Sequence, residues 1–312
     1  MSTKKTITAE VIEHVLDTKL SDTLKQRCLE ASLEYEEISS LDRDNYIREV
    51  VNALCKVDVD KDTKPAGEHR LNEWEKGWGE NLDAIKSGKS VNDLVPRYHG
   101  KHSLIHWNQK MIRPLIPYFD YKLHCIIVDW AVEKYLSGVS SIFEFGCGPG
   151  YHLLRARKIN PTARMIGLDW TKASQEIINQ IKEAGIEDNI EGKNFDFYNP
   201  DYSIEVPKNS GFLSVAALEQ IGDKYKQFVD FVLEKKPSIC VHLEPIDELL
   251  DQNNLIDRLS TLYFRKRNYL SGYLPYLRQL ENEGKIKIVN EQRTFSGSFF
   301  IEGHSLIVWY PL

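Results

Sequence analysis

Hydrophobic positions along the 312-residue chain follow two patterns, one before and one after about residue 136. In the first part they recur every three or four residues, the period of an amphipathic helix. Ile7, Val11, Ile12, Val15 and Leu16 form one such row, and Tyr46, Ile47, Val50, Val51 and Leu54 form another, after a capping Ser40. Trp74, Trp78, Leu82 and Ile85 mark a third helix that ends at Ser87-Gly88. Leu123, Ile126, Ile127, Trp130 and Ala131 mark a fourth, which Asp120 would cap. The charged run from Val57 to Gly67, with Pro65 in it, reads as a loop.

From Ser140 onward, short apolar runs alternate with helical rows. Strands are expected at 141–145, 165–168, 191–195, 212–216, 238–243, 286–289 and 306–309, with helices at 173–184, 224–234 and 255–267. Such alternation implies right-handed crossovers, and so an α/β fold with a doubly wound, mostly parallel sheet covered on both faces. The compact segment from Glu291 to His304 has no room for a crossover helix, so the last two strands should be antiparallel. The chain thus divides into a helical N-terminal cover at 1–136, where substrate would bind, and a core at 137–312.

Composition narrows the class. Apolar residues make up 42% and charged residues 28%, as in an ordinary globular protein. A formal charge of −6 argues against a sequence-independent grip on nucleic acid. The basic cluster Arg265-Lys266-Arg267 is expected on a solvated helix face. Five cysteines without a CxxC pair fit reduced thiols and a cytoplasmic location, and no apolar run suits a membrane span or a signal core.

The chemistry is concentrated in "IFEFGCGPGYHLL", residues 142–154. A strand, a glycine turn and a helix in that order make a ligand cradle. Gly146, Gly148 and Gly150 are spaced G-x-G-x-G with Tyr151 following, which breaks the dinucleotide register G-x-G-x-x-G. Glu144, at the strand end, would repel a pyrophosphate and favour a cationic ligand. Asp169 follows the second strand, where a carboxylate can accept ribose hydroxyls, and Asp196 follows the third, flanked by Phe195 and Phe197.

"EFGCGPG", "IGLDWTKAS", "NFDFYNP" and "SVAALEQIG" together resemble the successive motifs of class I S-adenosylmethionine-dependent methyltransferases, over roughly Ser140 to Leu312. The resemblance implies a seven-stranded Rossmann-like sheet with an antiparallel last strand, and S-adenosylmethionine as cofactor, leaving as S-adenosylhomocysteine. It also implies that Glu144, Gly146, Cys147, Gly148 and Gly150 cradle the methionine part, that Asp169 and Trp170 lie at the ribose, and that Asp196 and Phe197 hold adenine.

Methyl transfer from a sulfonium is an in-line displacement, so much of the catalysis is positioning. Glu219 and Gln220, after the fourth strand, line the acceptor pocket or simply start a helix; Glu244 ends the fifth strand at the edge that faces the ligand crevice and is, with Glu219, a candidate catalytic carboxylate, while His242 before it reads as a core histidine. His99, His102 and His106 would share a face if helical, which suits a polar pocket wall or a base for a substrate hydroxyl better than a metal site. Tyr98, Trp107, Tyr151, Tyr269, Tyr273 and Tyr276 offer aromatic surface for an acceptor, or ordinary packing between the two parts. The expected reaction is methylation of a small molecule, on oxygen or nitrogen. Protein or RNA acceptors, a non-catalytic nucleoside-binding scaffold and an NAD-dependent dehydrogenase are the rivals, and a homodimer is left open.

Overall fold

The computed structural model describes residues 4–56, 63–90, 95–96 and 99–312. Residues 57–62 of the expected loop, and Tyr98, lie outside the described residues. The N-terminal part holds strands β1 (Lys4–Thr6), β2 (Glu34–Glu37), β3 (Ile105–Trp107) and β4 (Lys110–Pro114), with helices α1 (Ala9–Val15), α2 (Asp22–Ala31), α3 (Ser40–Cys55) and α4 (Leu71–Lys86). The four strands form an antiparallel sheet in the order β1-β2-β4-β3, where a purely helical region was expected. These strands are three to five residues long, and β1 and β2 carry mainly Lys and Glu. Their apolar alternation is therefore too short to stand out from the helical rows. The cap of α3 is Ser39 rather than Ser40, with Asp42 completing a capping box.

Helix α5 (Phe119–Leu136) leads into the second half. It is apolar nearly all round, as a helix buried between two layers must be. Asp120 lies in its first turn rather than at its cap, which is Tyr118. Strands β5 (Ser141–Phe145), β6 (Arg164–Asp169), β7 (Ile190–Asn194), β8 (Ser210–Val215), β9 (Ile239–Glu244), β10 (Ile286–Arg293) and β11 (Ser305–Pro311) alternate with α6 (Tyr151–Arg157), α7 (Lys172–Glu183), α8 (Lys226–Lys235), α9 (Leu255–Arg267) and α10 (Tyr273–Asn282). They form a seven-stranded sheet in the order β10-β11-β9-β8-β5-β6-β7. Five strands pair in parallel, while β11 is antiparallel to both β9 and β10, as the short connection required.

One hydrophobic cluster runs through both halves, joining Ile12 and Leu24 to Leu123, Ile142 and Val241. Polar contacts tie the layers as well. Asp129, fully buried on α5, takes Arg27 Nη1 from α2 at 2.6 Å and Arg155 Nε from α6 at 2.8 Å. Glu75 of α4 accepts the backbone N–H groups of Lys172 and Ala173, and so docks α4 onto the start of α7. Among the described residues no helix is long and apolar enough to cross a membrane.

Removing the Asp129 carboxylate would leave two guanidinium groups without their shared counter-charge in a dry layer. The Asp129→Ala variant should lose about 3–5 kcal/mol of unfolding free energy, measured by urea denaturation; a loss below about 1 kcal/mol would show that the charges are screened as on a surface.

Candidate functional site

The parallel strands end along one edge, and the loop after β5 turns sharply there. Gly146, Gly148 and Gly150 all adopt positive φ. At Gly148 (φ +50°) a Cβ would lie 2.8 Å from Trp78 Cζ2, so only glycine lets the α4 indole lie against the loop. Gly150 faces away, with room for a Cβ closed by Ile178 Cδ1 at 2.3 Å; it seats the loop on α7 and does not line the site. A cavity of about 350 Å³ opens over this loop.

Glu144, Asp169 and Glu219 border the cavity along the sheet edge, and burial pushes each of them up. Glu144 is 1% exposed; its Oε1 lies 2.9 Å from His152 Nδ1, while its Oε2 is buried with no hydrogen-bond partner among the described residues. Asp169, also buried, already accepts from Thr171 N and Thr171 Oγ1 on Oδ1 and from Gly148 N on Oδ2. A carboxylate has about four acceptor positions, so Asp169 has room for a single further donor, on Oδ2, rather than for a diol. Trp170 and Tyr198 lie nearly parallel beside it, their ring centroids 6.4 Å apart, with Phe197 near.

Glu219 lines the cavity from the 3-10 turn Leu218–Ile221 and is pushed up to about 8 by burial and by the neighbouring Glu244. At neutral pH it is mostly a carboxylic acid, a donor rather than a base. Glu244 does not reach the cavity. It accepts Ser214 Oγ at 2.8 Å and the N–H groups of Ala217, Leu218 and Glu219 at 3.1–3.2 Å, and is spent holding that turn. Gln220 lines the cavity and meets Arg70 Nη1 at 3.4 Å.

The remaining wall comes from segments far apart in sequence. Arg70, Trp74 and Trp78 stack in turn along the start of α4, Arg70 over Trp74 at 5.3 Å and the two indoles 5.8 Å apart. Arg267, expected on a solvated face, is 8% exposed and lines the cavity, packed over Tyr269 at 4.8 Å, while Arg265 of the same cluster is exposed. The period of α9 turns only the first and last of the three basic positions to different sides. The loop between β10 and β11 supplies Ser296, Phe299 and Phe300, and His102 stacks on Phe299 at 4.7 Å.

Four further expected site residues lie elsewhere. His106 is in a strand, so it does not share a face with His99 and His102. It is fully buried, bonded through Nε2 to the Tyr46 hydroxyl and through Nδ1 to the Ile301 carbonyl, both at 3.0 Å, and burial lowers it to about 4. Trp107 packs into the core beside it, and Tyr273 is buried under the sheet against Tyr225 and His242. Asp196 closes its own turn onto Tyr198 N and does not line the cavity. His242 is the core histidine expected, bonded to Ser214 Oγ at 2.8 Å.

Tyr151, His99, Tyr269 and Cys147 do line the cavity. So do His124 and His304, which sequence reasoning passed over. The signal was present: His124 interrupts the apolar row of α5, four residues and one turn after Asp120. Asp120 in turn holds His99 Nδ1 at 3.0 Å and Gly100 N at 3.1 Å.

This strand order, with the reversed β11 and a glycine loop at the carboxyl edge of β5, is the class I S-adenosylmethionine-dependent methyltransferase-like fold. Among solved structures, the (4+2) cyclase SpnF superposes at a TM-score of 0.54 with 12% identity, over 79% of this chain and 96% of its own. An O-methyltransferase of neocarzinostatin biosynthesis reaches 0.44 at 12% identity over 78% and 70% of the two chains. The mitomycin 7-O-methyltransferase reaches 0.43 at 14% identity, over 77% and 68%. No protein-family model matches the chain, and no curated protein matches it in sequence.

Glu219 and Glu244, raised from 4.5 to about 8 and about 7, bind a proton more tightly folded than unfolded. Stability should therefore fall as pH rises from about 6.5 to about 8, while below that range the buried histidines, held under their ordinary value of 6.5, oppose the trend. Glu219→Gln should flatten that slope in urea titrations at stepped pH; an unaltered slope would clear Glu219 of responsibility.

Proposed function

We propose that the chain is an S-adenosylmethionine-dependent methyltransferase acting on a small-molecule acceptor, on oxygen in preference to nitrogen, with residues 1–136 walling the acceptor space. The observation that carries this reading is the unpartnered Glu144 Oε2 beside a glycine loop. A buried carboxylate oxygen without a donor is costly, and the ammonium of a methionine moiety would satisfy it, whereas a dinucleotide pyrophosphate would add like charge. The site thus fits the cofactor that the fold suggests. Gly146, Cys147 and Gly148 would face the methionine part, Asp169 one ribose hydroxyl, and Trp170, Phe197 and Tyr198 the base. When bound, S-adenosylmethionine supplies an electrophilic methyl group on a sulfonium sulfur.

The chain's own part is to orient the acceptor, exclude water and take up a proton where the acceptor sheds one. His102 and His152 line the cavity and are the groups suited to that last task, while Glu219 in its neutral form donates a hydrogen bond. The fold by itself does not select methyl transfer, since SpnF is a cyclase. The closing experiment therefore reads both binding and transfer.

Calorimetry should show binding of S-adenosylmethionine and S-adenosylhomocysteine and none of NAD. Glu144→Gln should weaken both nucleosides about tenfold to a hundredfold, the worth of a charged hydrogen bond. Incubation with the methyl-labelled cofactor and pooled small phenols and amines should transfer label to an extractable product. Tight NAD binding would overturn the cofactor assignment, and cofactor binding with no transfer to any pool would support a scaffold or a cyclase.

A further inference from the structure

At one end of the cavity, four imidazoles from separate elements come together. His124 of α5 is the hub, its ring centroid 6.1 Å from His99, 6.0 Å from His152 and 5.3 Å from His304. All four rings line the cavity. Both ring nitrogens of His304 are shielded from solvent and have no hydrogen-bond partner among the described residues. Polar atoms in that state mark a place where a ligand group completes the hydrogen bonding.

The chemistry of that group follows from the donors and acceptors on offer. A neutral imidazole presents one N–H and one lone pair. With Glu144 ionised, its hydrogen bond to His152 Nδ1 puts the proton on that nitrogen and leaves Nε2 as an acceptor. A carboxylate or phosphate brings acceptors alone, and an ammonium brings donors alone. A hydroxyl brings both. Burial, reinforced by the neighbouring imidazoles, lowers His124 well below the usual histidine value, and burial lowers His304 to about 4, so these two rings stay uncharged at neutral pH and offer an anion no counter-charge. Arg155, whose charge also acts on His124, is held by Asp129. The rings of Tyr121 and Tyr151, 5.1 Å apart, border the same end with aromatic surface. No group of three or more His, Cys, Asp or Glu among the described residues is arranged to hold a metal ion.

We propose that His124, His152 and His304 seat an uncharged, hydroxyl-bearing aromatic ring, the recognised end of the acceptor. The seat itself stands on this geometry, and its identity as an acceptor site rests on the methyltransferase reading above. Full-length protein labelled with 15N-histidine and saturated with S-adenosylhomocysteine would be titrated with catechol, with benzoate and benzylamine as charged comparators of similar size. Catechol should shift the His124 and His304 ring resonances saturably, and neither comparator should compete with it. His304→Leu, and His304→Asn as a polar control for folding, should each weaken catechol about tenfold or more and leave S-adenosylhomocysteine affinity unchanged. The proposal is overturned by no saturable catechol response, by tighter binding of benzoate or benzylamine, or by stoichiometric Zn2+ capture that abolishes the response. A catechol response in protein that does not bind the nucleoside would uphold the seat while removing the methyltransferase reading.

Discussion

The structure is governed by the removal of carboxyl groups from water along one edge of a parallel sheet. Glu144, Asp169, Glu219 and Glu244 are all at most 6% exposed, and none has a lysine or arginine in salt-bridge contact among the described residues. Each is instead answered by hydrogen bonds: a histidine for Glu144, backbone and hydroxyl donors for Asp169 and Glu244, and the Gln220 amide for Glu219. Desolvation disfavours the charged form in every case, so the edge is acidic in composition yet reluctant to ionise. That reluctance separates the groups by role. Glu244 is consumed in shaping the chain, Asp169 is nearly so, and Glu144 and Glu219 each keep one buried oxygen without a partner among the described residues beside the cavity.

The parts of this arrangement that are local in sequence could be read from it. The strand ends of the core, the glycine spacing, Glu144 and the antiparallel return of β11 all depend on residues within a few positions of one another, where periodicity and turn chemistry are informative. Part of the cavity wall was illegible for the opposite reason. Arg70, His124, Arg267 and His304 meet only because α4, α5, α9 and the loop before β11 converge over the sheet, and nothing in the spacing of 70, 124, 267 and 304 encodes that. Arg267 shows the difficulty well: three consecutive basic residues read as a solvated face, yet a helix turns about 100° per residue, and only the neighbours decide which one is inward.

The N-terminal part shows a second limit. Its four short strands were read as helical ground because three to five residues leave too short an alternation to stand out, and β1 and β2 are mainly Lys and Glu. His106 was given a chemical role on a spacing that holds only in a helix. In a strand its neighbours change, and the same imidazole becomes a strut linking α3, β3 and the loop before β11.

That strut bears on how the cavity meets its guests. Both nitrogens of His106 are engaged by groups that belong to opposite sides of the wall, and β3 is further stitched to the loop through Trp107 and Ser296. The aromatic rim carried by that loop is consequently tied to α3 and β3 by hydrogen bonds. A wall tied in this way would lose little freedom on association. It would sort molecules by outline at the moment of encounter, with little scope for a poor fit to be mended afterwards.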